Sequence, residues 1–416
     1  MRKIIFNLIS LVFLALISLI IILSTIGVET NRFNNLISKK INETNNNIYL
    51  KLNTVKFKLD IKEISLFLET IEPEIVYRDN RIPAKNIKVY IDFSTIIKSE
   101  PKIKKINIVL KQLDIEKLKK LSLTFKPSNL TSFVNNKIKQ GKLDIELEIY
   151  LNRDNVLDNF IARGSVSNLK AEIKNNINLE KTNFNFFADK TDVLVKNIFS
   201  ETGPIKITDG DLKLKLSPEF SLDSNFNTII DYDNKSINYL NLIKDFKYAK
   251  DIVNFKANLN NSFSINFDKT YKVKKYSYKN NGKIKKINLD FKKSLENQFL
   301  EYRISQLSIV DTEIKTNFSS KKNTTNLSGK YILNQGNLLS FNLENIFDKN
   351  LHKLKLDANY DQLIELKFIN YTKSKGSIAN FSLNLLKQED NIRVKKLNLT
   401  EGKNSIFAED IKFDKN

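Results

Sequence analysis

Few residues of this chain have side chains suited to catalysis or metal binding. The sequence contains no cysteine and one histidine, His352, so thiolate metal sites are excluded and a histidine-based triad would depend on this one residue. His352 lies in NLHKLKL, an alternating stretch that predicts a strand residue facing solvent. We therefore expect no metal site, no cofactor and no catalytic residue.

Two pairs of acidic residues have spacings that could serve calcium binding or carboxylate catalysis. They are Glu72 with Glu74, and Asp209 with Asp211. Both pairs lie in turn-like sequence, and the chain has neither a glycine-rich phosphate loop nor a G-x-S-x-G nucleophile motif. The favoured interpretation is that these carboxylates are ordinary turn residues.

Basic residues are the second chemical feature of the sequence. The formal net charge is +21, and the richest stretch is KTYKVKKYSYKNNGKIKK at 269–286, where tyrosines interleave with lysines. Such a pattern can bind single-stranded nucleic acid. An exposed hairpin and a contact with anionic lipid headgroups through Lys272, Lys274 and Lys275 are the other interpretations. The position of the chain relative to a membrane bears on the choice between them.

The N-terminal segment predicts a membrane anchor. No charged residue occurs from Ile4 to Val28, and at about 1.5 Å per residue such a helix spans roughly 37 Å, enough for the hydrocarbon core of a bilayer. The run is too long for a signal peptide, and no small-x-small cleavage site follows it. Arg2 and Lys3 precede the run, so the positive-inside rule predicts a single-pass protein with a cytoplasmic N-terminus and the rest of the chain on the other side of the membrane. In a bacterium with two membranes, this would be an inner-membrane protein with a periplasmic body. A nucleic-acid partner is then not expected.

The rest of the chain is dominated by alternating apolar and polar residues. In GKLDIELEI at 141–149, the apolar residues predict one face of a strand and the charged residues predict the other. The same alternation recurs along the chain. We predict that the following inward-facing apolar residues line a groove: Leu143, Ile145, Leu147, Ile149, Val166, Leu212, Leu214, Leu216, Ile287, Leu289, Phe291, Phe381, Leu383 and Leu385.

This pattern predicts a mainly β fold, in which an N-terminal transmembrane helix precedes an extended, curled antiparallel β groove with a few short helices. Two arrangements of the apolar face remain open at this point. The sheet can fold on itself around a dry core, or it can curl into a gutter whose inner face stays open to a guest molecule. A large open apolar surface would indicate a lipid or protein partner.

Helical spacing and turn residues subdivide the chain. Apolar residues at helical spacing predict helices over 30–46, 128–140 and 236–248, with Gly141 as the stop signal of the second. Two dipeptides predict hairpin turns, Asp209-Gly210 and Asn281-Gly282.

We predict three regions along the chain. They are a transmembrane anchor at 1–28, an α+β module at 29–150, and a repeated β-strand groove at 160–416 that ends within a strand repeat and is interpreted as short or truncated.

The order of elements resembles that of the AsmA-like family of bacterial envelope proteins. EPEIVYRDN at 72–80 looks like the family's proline-containing strand and turn, and AKNIKVYIDFSTIIKS at 84–99 looks like its strand followed by a short helical turn. GSVSNLKAEI at 164–173 and ITDGDLKLKL at 207–216 look like its later β repeats. The resemblance covers roughly 50–220. Members of the family are often much longer, and this chain shows no C-terminal helix for docking at an outer membrane.

The resemblance implies a bridge-like groove related to chorein-type lipid transfer proteins. Its expected partners are phospholipid and the inner membrane, with the acyl chains carried between inner and outer membranes. The alternative is a structural or assembly factor that pairs its strand edges with an outer-membrane protein. An enzyme is the third hypothesis.

Overall fold

The computed structural model describes residues 2–31, 34, 38–39, 48–63, 65–91, 102–124, 128–152, 156–174, 177–217, 219–233, 249–268, 272–297, 300–348, 350–388 and 391–413. The predicted fold class is confirmed. The chain is mainly β, with a large antiparallel sheet that is not closed, an N-terminal apolar helix and few other helices. Contacts divide the chain into two compact units, unit 1 (Met1–Val195) and unit 2 (Lys196–Asn416).

The N-terminal helix α1 covers Arg2–Thr25. Lys3–Thr25 is long and apolar enough to cross a membrane, and none of it is buried against the rest of the protein. It is the one helix of this kind within the described ranges. Gly27 follows with a φ of 75°, a left-handed conformation that glycine adopts without strain. The sequence-based expectation of an anchor-length apolar helix is confirmed, while the side of the membrane that each end faces stays a prediction.

Strands of unit 1 follow this helix. In chain order they are β1 (Val28–Thr30), β2 (Ile48–Lys51), β3 (Val55–Asp60), β4 (Ser65–Ile71), β5 (Glu74–Tyr77), β6 (Asn80–Ile82), β7 (Ala84–Ile91), β8 (Ile103–Leu110), β9 (Leu113–Asp114), β10 (Ile138–Leu151), β11 (Leu157–Lys174) and β12 (Ile177–Ala188). Strands β1, β3, β4, β7, β8, β10, β11 and β12 pair in that order, and β9 also pairs with β10. Strands β2, β5 and β6 form a separate small sheet. Strand β13 (Asp192–Thr202) contains the division between the units.

Two short helices connect β9 to β10. Helix α2 (Ile115–Ser122) begins after Asp114, whose side chain accepts a hydrogen bond from the Lys117 backbone N–H at 2.9 Å. Helix α3 (Asn129–Asn136) begins after Ser128, which caps it in the same way through Thr131. Helix α2 is not among the helices predicted from the sequence.

The predicted helix over 128–140 is confirmed over its first part only. The chain enters β10 at Ile138, so Gly141 lies inside a strand and is not a helix stop. Strand pairing of this segment with β11 outweighs the helical spacing of its apolar residues. The predicted helix over 236–248 and most of the one over 30–46 lie outside the described residues.

Unit 2 consists almost entirely of long antiparallel strands joined in sequence. They are β14 (Ile205–Lys215), β15 (Ser221–Asp233), β16 (Ile252–Phe267), β17 (Val273–Asn297), β18 (Leu300–Ser319), β19 (Asn323–Leu333), β20 (Leu339–Asp348), β21 (Leu351–Tyr360), β22 (Ile364–Leu366), β23 (Tyr371–Lys373), β24 (Ala379–Gln388), β25 (Asn391–Glu401) and β26 (Asn404–Phe413). The short hairpin β22–β23 stands apart as a two-stranded sheet, and single 3-10 turns cover Ala249–Asp251 and Lys367–Ile369.

Both predicted hairpin turns are wrong. Gly210 lies inside β14 and Gly282 inside β17, next to strand irregularities and not at chain reversals. A Cβ at Gly282 would lie 2.3 Å from the Asn258 carbonyl oxygen, so the close approach of β16 requires glycine here. The predicted boundary between 150 and 160 lies within unit 1, whose sheet continues through β11 and β12.

Candidate functional site

Unit 1 contains an apolar cavity of about 690 Å³, which we call the unit 1 cavity. The face of the large sheet supplies one side, and the small sheet, α2 and α3 supply the other. Its lining residues are Leu50, Leu52, Val55, Leu68, Thr70, Ile75, Ile82, Ile87, Val89, Ile106, Ile108, Leu110, Leu113, Leu118, Leu121, Ser122, Ser128, Thr131, Val134, Leu143, Ile145 and Leu147.

Strand register explains why the sheet side of this cavity is apolar. Residues that are direct partners across antiparallel strands share a face. One such row runs from Val55 through Thr70, Ile87 and Ile108 to Leu147, crossing β3, β4, β7, β8 and β10. Four of its five members are apolar, so alternation in five separate strands produces one continuous surface.

Thr70 is the exception in this row. It is 4% exposed, and its hydroxyl oxygen is buried without a hydrogen-bond partner. The other hydroxyls of the lining differ in this respect. Ser122 donates to the Lys119 carbonyl at 2.8 Å, and Ser128 accepts from the Thr131 backbone N–H at 3.1 Å. The unit 1 cavity therefore has an apolar wall with one uncompensated polar group, Thr70.

Unit 2 carries a longer apolar surface, the long apolar row. It crosses every strand of the main ladder from β14 to β26, and each member is the direct cross-strand partner of the next. Its members are Ile207, Thr228, Leu259, Gly282, Ile314, Leu327, Leu343, Leu356, Leu383, Leu397 and Ala408.

The long apolar row is not sealed inside a core. All of its Leu and Ile side chains are half-buried, Leu356 and Leu383 among them. A dry sandwich would bury most such side chains completely. These exposures favour the open arrangement over the dry-core arrangement for this part of unit 2.

A second cavity of about 410 Å³, the unit 2 cavity, lies on the same face. The hairpin β22–β23 packs beside it through Ile364, which forms a buried cluster with Ala379 and Leu399. Its lining is Leu307, Ile309, Tyr331, Leu333, Phe341, Leu356, Ala358, Tyr360, Ile364, Phe381 and Leu399.

A polar band interrupts the apolar face of unit 2, two residues along each strand from the long apolar row. Its members are successive cross-strand partners on β16 to β20, and we define it as Asn261, Asn280, Thr316, Thr325 and Asn345. Asn280 donates to the Asn261 side-chain oxygen at 2.8 Å, and Asn261 donates to the Thr228 hydroxyl at 2.9 Å. Tyr278 also donates to Asn261, at 2.8 Å.

The opposite face of the same strands is polar. A shallow depression there is lined mainly by charged and amide side chains of β18 to β21, including Glu313, Lys315, Glu344 and Lys355. Lys355 and Glu344 form an exposed ion pair at 3.2 Å. The two faces of the unit 2 sheet therefore differ sharply in polarity, as alternation predicts.

Most of the predicted lining residues of unit 1 lie at its cavity. Leu143, Ile145 and Leu147 line it, Ile149 pairs with Ile106 of the lining, and Val166 pairs with Leu143.

The predicted lining residues of unit 2 are spread along its apolar face. Leu383 belongs to the long apolar row, Phe381 lines the unit 2 cavity, and Leu385 pairs with Leu354. Ile287 pairs with Ile309 of that cavity, and Leu289 pairs with Leu307.

Four other predicted positions show how tertiary packing and strand ends modify the pattern expected from alternation. Phe291 is buried in a cluster with Tyr232, Ile252 and Leu289. Leu214 pairs with Leu222, and Leu212 pairs with Ser224 of β15. Leu216 follows the end of β14 and is 42% exposed, so the structure does not bring it into the row.

The predicted headgroup lysines lie at or beside the start of β17. Lys272, Lys274 and Lys275 are exposed, and Lys274 forms an ion pair with Glu219 at 3.3 Å. The stretch is part of a long strand paired with β16 and β18, so the exposed-hairpin interpretation of the whole segment is wrong.

One member of each acidic pair has an ordinary ion-pair partner, and His352 contacts a neighbouring amide. Glu72 contacts the Lys111 ammonium at 2.5 Å, and this hydrogen bond lowers the pKa of its carboxyl. Asp211 contacts Lys196, also at 2.5 Å. His352 is half-buried and contacts the Asn345 side-chain oxygen at 2.5 Å, on the apolar face opposite Phe347. His352 is a strand residue, as predicted, but the register places its side chain on the apolar face and not on the polar face of the strand.

No cluster of three or more His, Cys, Asp or Glu residues suited to a metal ion occurs in the part of the chain that the structure describes. Alternation of residue types did not single out Thr70, the polar band or Lys373, a lysine that is 0% exposed. Lys373 donates to the Gln362 carbonyl at 3.0 Å and to the Ser374 carbonyl at 3.1 Å, and burial lowers its pKa. No local sequence signal marks these positions, because each depends on what the fold places around it.

Comparison with known proteins adds no relative. No protein-family model, no curated protein and no solved structure matches this chain. The resemblance to the AsmA-like family therefore stays a prediction.

Proposed function

We propose that this chain is a membrane-anchored, non-catalytic protein whose apolar faces hold or conduct the acyl chains of phospholipids. Helix α1 anchors it in a bacterial inner membrane with the N-terminus in the cytoplasm, and the β body lies in the periplasm. The lipid moves between inner and outer membranes. The observation that carries this proposal is the half-buried long apolar row of unit 2.

The physical support is the hydrophobic effect. An acyl chain in water costs about 0.8 kcal/mol for each exposed methylene group, so a long chain leaves a bilayer only into another apolar environment. Leu343, Leu356, Leu383 and Leu397 follow one another across four paired strands without a polar interruption. An acyl chain that moves along this row would pass from the leucine of one strand to the leucine of the next and would not enter water.

Site-specific photocrosslinking in the full-length protein tests this proposal. A photoreactive amino acid placed at Leu356 or Leu383 should capture phospholipid. The matched positions Lys355 and Asn384, direct partners on the opposite face of the same strands, should not. Equal capture on both faces, or none at either, would contradict the proposal. Capture of an outer-membrane protein without lipid would favour the strand-pairing alternative.

A charge placed in the row provides the functional test. Leu383→Glu should block transfer of labelled phospholipid between donor and acceptor vesicles, because a carboxylate on the apolar face is costly to bury beneath an acyl chain. Asn384→Glu puts the same charge on the polar face and should leave transfer intact. Circular dichroism of both variants confirms that the fold is retained.

A further inference from the structure

Two unpartnered polar atoms lie side by side in the polar band. Asn280 and Thr316 are direct cross-strand partners on β17 and β18. Asn280 is 5% exposed, and its side-chain oxygen is buried without a hydrogen-bond partner; the Thr316 hydroxyl oxygen is in the same situation. The Asn280 amide nitrogen is already engaged, since it donates to Asn261 at 2.8 Å. The pair therefore offers a free acceptor beside a free hydroxyl.

The surroundings of this pair divide into an apolar and an aromatic side. The long apolar row passes on one side through Leu259, Gly282 and Ile314. On the other side Phe263, Tyr278 and Phe318 are successive cross-strand partners, with ring centroids of Tyr278 and Phe318 6.1 Å apart. An apolar surface, a polar line and an aromatic line in this order match the boundary between acyl chains and headgroup, where aromatic side chains are favoured.

We propose that the polar band holds a phospholipid through a hydrogen-bond donor in its headgroup, either a hydroxyl or a primary ammonium, while the acyl chains lie on the long apolar row. This inference rests on the proposed function. A buried amide oxygen can only accept a hydrogen bond, so the group that completes it must carry an N–H or O–H. The Thr316 hydroxyl can donate to a second oxygen of the same headgroup. An unsatisfied buried acceptor costs free energy that such a ligand removes.

Headgroup selectivity of the full-length protein tests this inference. Purified protein is incubated with mixed micelles that contain equal amounts of phosphatidylethanolamine, phosphatidylglycerol and phosphatidylcholine with identical acyl chains, and bound lipid is identified by native mass spectrometry. Phosphatidylcholine has no headgroup N–H or O–H. We expect roughly fivefold less phosphatidylcholine to be retained than either of the other two lipids, because one ordinary hydrogen bond changes a binding constant by about this factor. Preference for phosphatidylethanolamine alone would identify the ammonium as the donor, and preference for phosphatidylglycerol alone would identify the hydroxyl.

Two substitutions test whether the polar band produces the headgroup selectivity. Thr316→Val and Asn280→Leu should bring the ratio close to one. The matched control is Asn281→Leu, the neighbouring asparagine on the exposed face, which should keep the wild-type ratio. Thr316→Val removes a hydroxyl that has no partner in the protein, so the fold of this variant should be unaffected. Asn280→Leu also breaks the hydrogen bond to Asn261 and is expected to lower stability.

The outcomes separate this inference from the proposed function. Equal retention of all three lipids by the wild type, or unchanged selectivity in Thr316→Val and Asn280→Leu, overturns the role of the polar band and leaves the groove hypothesis in place. Absence of any bound phospholipid overturns the proposed function together with this inference.

Discussion

Thr70 on β4 lies directly opposite Ile87 on β7, and both side chains face the unit 1 cavity. Ile87 is 9% exposed and belongs to the apolar cluster with Leu50 and Ile75, whereas the buried Thr70 hydroxyl has no hydrogen-bond partner. A valine has the same shape without the hydroxyl and would fit the apolar surface better. The retained hydroxyl thus costs stability in the absence of a ligand, which makes Thr70 a measurable indicator of the cavity's role.

Thr70→Val should raise the free energy of unfolding of the delipidated protein by about 1 kcal/mol, because it removes a buried polar atom that nothing compensates. Thr312→Val is the matched control: this threonine is also buried on a strand, but its hydroxyl donates to the Val310 carbonyl at 3.0 Å, so the same change should lower stability by about 1 kcal/mol. Urea unfolding measures both. A destabilised Thr70→Val variant would mean that the hydroxyl is satisfied in solution.

Gly282→Ala should destabilise unit 2 by about 1–3 kcal/mol, since the new methyl group would lie 2.3 Å from the Asn258 carbonyl oxygen and 2.8 Å from the Leu259 Cα. The neighbouring substitution Asn281→Ala, on the exposed face, should change stability by less than about 0.5 kcal/mol. Thermal unfolding compares the two. Equal stability of both variants would show that β16 and β17 are farther apart at this point.

The alkaline stability of unit 2 should depend on Tyr331. Burial, with the nearby charge of Asp361, raises the pKa of Tyr331 to about 12, and its hydroxyl donates to the Asn359 carbonyl at 2.5 Å. The folded state therefore favours the protonated phenol, and this contribution is complete below pH 10 and is lost as the pH rises toward 12.

Tyr331→Phe cannot ionise at this position. It should be less stable than the wild type at pH 9, by about 1 kcal/mol for the lost hydrogen bond, yet its stability should fall less steeply between pH 10 and pH 12. Urea unfolding at closely spaced pH values measures this difference in slope. Parallel curves for the two proteins would show that Tyr331 ionises equally readily in the folded and unfolded states.

The absence of cysteine makes the membrane orientation directly testable. In the full-length chain, Arg2→Cys marks one end of α1 and Lys403→Cys marks an exposed turn between β25 and β26. A membrane-impermeant maleimide applied to spheroplasts should label only Lys403→Cys, and permeabilisation should expose Arg2→Cys. The reverse pattern would place the β body in the cytoplasm. Deletion of Arg2–Thr25 should release the protein from membranes in either case.

The amino-acid sequence alone determined the β class, the apolar N-terminal helix and the division of each strand into two faces. These features are local, since side chains alternate every residue along a strand and the helix needs only an uninterrupted apolar run. Leu143, Ile145 and Leu147 were therefore assigned to the apolar face correctly without knowledge of their neighbours.

Only the tertiary structure decided which residues are cross-strand partners and where two strands approach each other closely. Gly282 looked like a turn because Asn-Gly favours one, yet the packing of β16 against β17 required a residue without a side chain. Helix α2 was not predicted, although Asp114 caps its first turn, because its eight residues are fewer than the window of about 11–18 residues over which helical spacing is recognised. The polar band exists only because the register of β16, β17 and β18 brings Asn261, Asn280 and Thr316 into one line. Partners across a ladder are far apart in sequence, so a one-residue shift anywhere along β16 to β18 would have moved these side chains to the opposite face.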